Sequence, residues 1–184
     1  MVNKFNNTKA YMRTFSQELV KLLVLQIDRN RQRGNISSPI NASGRLKNSF
    51  EVDFDETTGE YIYSILGNDY GLIVDKGRGA GKMPPINEII KWIDAKPVTL
   101  NAARLGSLKG SITTQKKKLA FAIARKIGAQ GTRPTGFVEQ ALASAMEKLK
   151  IEEPIIQDIE ENIVEILTKA GFKELANNEF VINK

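Results

Sequence analysis

Residues Tyr70–Pro85 read YGLIVDKGRGAGKMPP. The apolar run Tyr70–Asp75 is expected to form a strand. The loop Lys76–Met83 follows, rich in glycine and carrying Lys76, Arg78 and Lys82 on what should be a flexible basic surface segment. Pro84 and Pro85 then suit the first turn of a helix, where a missing N–H costs nothing. Ile86, Ile89, Ile90 and Ile93 make a helical stripe beyond them, with Trp92 on its edge. The loop is not a phosphate-binding loop. That motif needs a Gly separated by four residues from Gly81-Lys82, where Lys76 stands, and a Ser or Thr after the Lys, where Met83 stands.

Upstream, Leu46, Asn48, Phe50, Val52 and Phe54 alternate with Lys47, Ser49, Glu51 and Asp53, the pattern of a half-buried strand. Asp55–Glu60 is turn chemistry, Tyr61–Leu66 a second strand, and Gly67–Asp69 a tight turn. Short connections make these two and Tyr70–Asp75 an antiparallel meander. Residues 8–33 are expected to be a helix with the stripe Met12, Phe15, Leu19, Leu22, Leu23 and Gln26. Arg29, Arg31 and Arg33 crowd its C-terminal end, and Gly34 is placed to stop it.

Downstream, Lys96–Gly110 reads as irregular. Ser111–Ile127 is a helix with Leu119, Ile123 and Ile127 inward and Lys116–Lys118 outward. Pro134 disfavours helix at Arg133 and ends that element, and Phe137 anchors the next. Its stripe is Val138, Ala141, Leu142, Ala145, Met146 and Leu149. Pro154 separates it from a helix over Ile155–Ala170, one face of which is lined by Ile155/Ile156, Ile159, Ile163, Leu167 and Ala170. A hairpin turning at Asn177-Asn178 closes the chain. The fold class is α+β: an antiparallel meander packed by a long N-terminal helix and further helices. Residues 1–150 form the main domain and 151–184 a helix-hairpin extension.

The 184 residues are 41% hydrophobic and 26% charged, enough to bury a core. No apolar run is long enough to span a membrane. The N-terminus lacks a signal peptide's apolar stretch, so synthesis and retention in the cytoplasm are expected. The chain has no Cys and no His. Disulfides, thiol nucleophiles, Cys/His zinc sites and imidazole acid–base catalysis are therefore excluded. Asp158, Glu161 and Glu165 share helical spacing, but an ordinary solvated face produces the same pattern. No catalytic, cofactor or metal site is expected.

Net charge is +6, unevenly spread. Residues 1–50 carry Lys4, Lys9, Arg13, Lys21, Arg29, Arg31, Arg33, Arg45 and Lys47 against Glu18 and Asp28, while the sign reverses beyond Ile151. A basic front and an acidic rear can attract each other between copies, or the basic part can face nucleic acid. A solvated surface with patchy charge is the plain alternative.

Three segments together resemble the tail-completion, or head–tail joining, proteins of tailed bacteriophages. They are Ser43–Phe50 (SGRLKNSF), Tyr70–Gly77 with Lys82-Met83-Pro84-Pro85 and the helix bearing Trp92, and Phe121–Ile127 followed by Gly131-Thr132-Arg133-Pro134 and Phe137. The resemblance covers roughly residues 8–150. Asp75-Lys76-Gly77-Arg78 departs from the pattern in which many relatives carry an acidic residue before a Gly-Thr pair. The resemblance implies a non-enzymatic virion protein, made in the host bacterial cytoplasm. Its copies form a ring around the DNA channel, in contact with portal, connector or tail proteins. Arg29, Arg31, Arg33, Arg45, Lys47, Lys76, Arg78 and Lys82 are the candidate contacts to a neighbouring copy or to packaged DNA. Pro84, Pro85, Trp92, Arg133, Pro134 and Phe137 are the candidate scaffold. The alternative is a sequence-independent nucleic-acid-binding protein acting through its basic N-terminal region.

Overall fold

The computed structural model describes residues 5–33, 36–57, 60–95, 111–150, 152–174 and 180–182. The fold is α+β, with six α-helices and three two-stranded sheets among the described residues. The helices are α1 (Asn6–Asp28), α2 (Tyr70–Lys76), α3 (Ile86–Ala95), α4 (Ile112–Gln130), α5 (Phe137–Lys148) and α6 (Glu152–Lys169). The strands pair in chain order: β1 (Asn30–Arg33) with β2 (Ile36–Pro39), β3 (Glu51–Thr57) with β4 (Glu60–Leu66), and β5 (Phe172–Glu174) with β6 (Phe180–Ile182).

Three expectations about elements fail. Tyr70–Asp75 is not a third strand but most of α2. Its buried positions are Gly71 and Asp75, four apart as on a helix, while Leu72 and Ile73 are exposed. A Cβ at Gly71 would stand 3.0 Å from Leu46 Cδ1, so glycine lets this helix approach that side chain closely. The meander therefore stops at the β3–β4 hairpin. The N-terminal helix also ends earlier than expected, at Asp28. Arg31 and Arg33 lie in β1, opposite Ser38 and Ile36. The strand expected from Leu46 begins at Glu51, after a single 3-10 turn over Lys47–Ser49. The irregular segment at 96–110 and the turn at Asn177-Asn178 lie outside the described residues.

The chain divides into two compact units. The first comprises 1–22, 52–65 and 142–184, so the C-terminal helix and hairpin group with the start of α1 and with the β3–β4 hairpin rather than standing as an appendage. The Asp158 carboxylate is fully buried here and accepts the backbone N–H of Asn7 at 3.0 Å and of Thr8 at 2.7 Å. These amides belong to the first turn of α1, which has no helical acceptor for them. Phe5, just before the helix, has no side-chain oxygen to cap it, and Asp158 supplies one. The expected solvated carboxylate face is thus corrected at this residue. On the apolar face of α6, Ile156, Ile159 and Ile163 are exposed. Pro154 sits inside the first turn of α6, where proline is tolerated. Tyr63 donates to the Lys9 carbonyl at 3.2 Å, Tyr11 to that of Leu149 at 3.1 Å, and Phe54 meets Tyr63 edge-on at 5.1 Å.

The second unit comprises 23–51 and 66–141. Leu23, Ile27, Leu46, Ile93, Ala120, Ala124, Phe137 and Ala141 are its buried apolar residues. On α4 the small Ala120 and Ala124 are buried while Leu119, Ile123 and Ile127 are half-buried, so short side chains mark the closest contacts. Ser111 caps α4 by accepting from the Thr114 amide.

Candidate functional site

The candidate contact and scaffold residues named from the sequence all fall in the second unit. The best-defined feature is the junction of the Asp75–Gly81 segment with Gly128–Val138. Arg78 and Thr132 form an antiparallel bridge: the Arg78 amide donates to the Thr132 carbonyl at 3.1 Å, and the Thr132 amide to the Arg78 carbonyl at 2.9 Å. The Gly81 amide donates to the Gly128 carbonyl at 2.8 Å. The Lys76–Met83 loop is therefore not a free flexible segment, because its backbone is hydrogen-bonded to the α4–α5 corner.

Asp75 completes the junction. Its carbonyl accepts from the amides of Thr135 (2.9 Å) and Gly136 (3.0 Å), and its carboxylate from the Val138 amide at 2.9 Å. The Thr135 hydroxyl donates to the Val74 carbonyl at 2.8 Å. Gly136, just before α5, has no side chain to cap that helix, and Asp75 does so from α2. Gly77 and Gly131 have φ of 71° and 72°. A Cβ on Gly77 would lie 2.4 Å from the Thr132 carbonyl oxygen, and one on Gly131 2.0 Å from that of Arg78. Only glycine fits either position. Phe137 is buried with its ring 6.4 Å from that of Phe50.

Pro84 and Pro85 lead into α3, and the Pro85 carbonyl accepts from Glu88 and Ile89. Trp92 lies on α3, part-exposed. Arg133 and Pro134 are exposed at the corner. The basic candidates do not behave as one patch. Lys47 pairs with Asp28 at 2.8 Å, and this hydrogen bond holds the Asp28 carboxyl below its ordinary pKa. The Arg78 guanidinium donates to the Lys82 carbonyl at 2.6 Å. Arg29, Arg45, Lys76 and Lys82 are exposed. The side chains of Arg31 and Arg33 lie outside the described residues.

The sequence reading missed both carboxylate caps and one groove. The groove lies between α3 and α4, has a volume of about 510 Å³, and is lined by Ile86, Asn87, Ile90, Lys117, Lys118 and Phe121. The signal for it was present in the apolar i, i+4 pair Ile86 and Ile90, of which Ile86 is exposed and Ile90 half-buried. Among the described residues no cluster of acidic side chains could hold a metal ion, and no helix is long and apolar enough to cross a membrane. No protein-family model matches the chain, and no curated protein or solved structure matches it.

Proposed function

We propose that this chain is a structural protein of a tailed-phage virion, one copy of an oligomeric ring at the head–tail junction. It assembles with portal, connector or tail proteins around the DNA channel and makes or breaks no bond. One observation carries the reading: the three segments that bear the family resemblance converge in one compact unit. Leu46 packs beneath Gly71, Phe50 meets Phe137, and Asp75 and Arg78 bind the Thr132–Val138 corner. The motif glycines and the Arg-Pro corner act as scaffold, which agrees with a role in assembly.

For the nucleic-acid reading, ion pairing occupies part of the basic N-terminal region, while Arg29 and Arg45 have no described ion-pair partner. Lys9 and Arg13 pair with Glu56, Lys21 with Glu18, and Lys47 with Asp28. A cation already paired gains less from a phosphate. Quantitative mass spectrometry of purified particles from the source tests the proposal. A fixed, low copy number relative to major capsid protein supports it, and absence from particles overturns it in favour of nucleic-acid binding.

A further inference from the structure

Two apolar surfaces on this chain carry opposite charge at their borders. On α6, Ile156, Ile159, Ile163 and Ile166 follow the 3-4-3 spacing of a helix seam and are 53%, 46%, 48% and 48% exposed. Glu153 and Glu160 are exposed seven positions apart beside that seam, and no described basic side chain forms an ion pair with either. The α3–α4 groove is the counterpart. Ile86, Ile90 and Phe121 form its apolar floor, with Phe121 49% exposed. Lys117 and Lys118 are exposed at its border, and no described carboxylate pairs with them. Their neighbour Lys116 instead pairs with Asp94 at 2.6 Å, joining α4 to α3 and fixing the groove wall.

We infer that the α6 seam of one copy lies in the α3–α4 groove of a second copy, with Glu153 and Glu160 against Lys117 and Lys118. An amphipathic helix in an apolar groove is a recurring recognition mode, anchored at i, i+3 and i+7. The acidic border of the helix and the basic border of the groove set its register and disfavour like surfaces meeting. Because the two patches differ, each copy still presents one free groove and one free seam. Such a contact propagates until the rotation closes it. The inference rests on the ring reading for its setting and adds the surfaces that form the ring.

The chain has no cysteine, so introduced ones react alone. Asn87→Cys marks the groove and Ile166→Cys the end of the seam. The two purified full-length variants are mixed at sub-millimolar concentration and treated with a short bismaleimide. Dimer is expected in the mixture and not in either variant alone. Adding Lys117→Glu and Lys118→Glu to the groove copy should lower the yield about tenfold or more. Glu153→Lys and Glu160→Lys on the seam copy should restore it, with circular dichroism checking that each variant folds.

Equal dimer in either variant alone means that like surfaces meet, and overturns the proposal. A yield that ignores charge reversal also overturns it. So does the absence of dimer, which would leave the groove to a helix of another protein. Particle abundance separates this contact from the ring reading. Cross-linking by a chain absent from particles sinks only that reading, and presence in particles without cross-linking sinks only this contact.

Discussion

The Asp75 carboxylate accepts the backbone N–H of Val138 at 2.9 Å across 63 residues of sequence. This bond caps α5 from α2. Asp75→Ala leaves the amide without that acceptor and is expected to cost about 1–2 kcal/mol. Asp75→Asn keeps an acceptor oxygen and should cost less. Urea unfolding of the three proteins, compared at constant m-value, checks the order.

Gly77 and Gly131 hold the two sides of the Arg78–Thr132 bridge in left-handed backbone. Gly131→Ala puts a Cβ into the Arg78 carbonyl and Gly77→Ala one into that of Thr132. Each is expected to destabilise by more than about 1 kcal/mol. Gly79→Ala, where a Cβ meets nothing within 4 Å, should be nearly silent by comparison. Thermal unfolding of the three variants would expose any error in this ranking.

Burial acts to raise the Asp158 pKa, but hydrogen bonding from Thr8 and Asn7 outweighs it and holds the carboxyl below its ordinary value. A carboxyl depressed in the folded state contributes stability above its unfolded pKa of about 3.9 and loses it as pH falls through the folded value. Asp158→Ala should therefore destabilise by about 1–3 kcal/mol at neutral pH. The gap to the unsubstituted chain should narrow as pH falls below the ordinary Asp range. Denaturant titrations between neutral and acid pH measure that gap directly, and a gap independent of pH contradicts the assignment.

Lys47 is paired with Asp28, whereas Arg29 and Arg45 are exposed with no described ion-pair partner. If the chain touches DNA, Arg29→Ala and Arg45→Ala should each flatten the slope of log affinity against log salt by about 0.9 for every phosphate no longer neutralised. Lys47→Ala should change it less. Fluorescence anisotropy with duplex DNA over a salt series gives all the slopes.

Charge reversal at Arg29, Arg31 and Arg33 distinguishes the two uses considered for this segment. If the segment meets a neighbouring copy, particle assembly falls. If it lines the DNA passage, filled particles lose DNA while assembly holds. A virus carrying all three reversals and unchanged in both respects excludes either placement.

Much of this architecture is legible locally. The α1 stripe, the Pro84-Pro85 start of α3 and the Arg133-Pro134-Phe137 corner follow from the sequence, because each rests on backbone rules acting within a few residues. Tyr70–Asp75 misleads because a short apolar run suits a strand and a buried helix equally. What separates them is the packing of Gly71 on Leu46 and of Asp75 on the α5 amides, neither visible in the run itself.

The same limit applies to the carboxylates. Asp158 stands among Glu152, Glu153, Glu160 and Glu161 and looks like one more solvated charge. By itself, the sequence determined the α+β class, the start of α3 after Pro84-Pro85, and an inventory without Cys or His. Only the tertiary structure decided that Asp75 and Asp158 go inside. Phe5 and Gly136 leave the N-termini of α1 and α5 without local caps. The buried amides there need acceptors, and the folded chain supplies them from Asp158 and Asp75, far away in sequence.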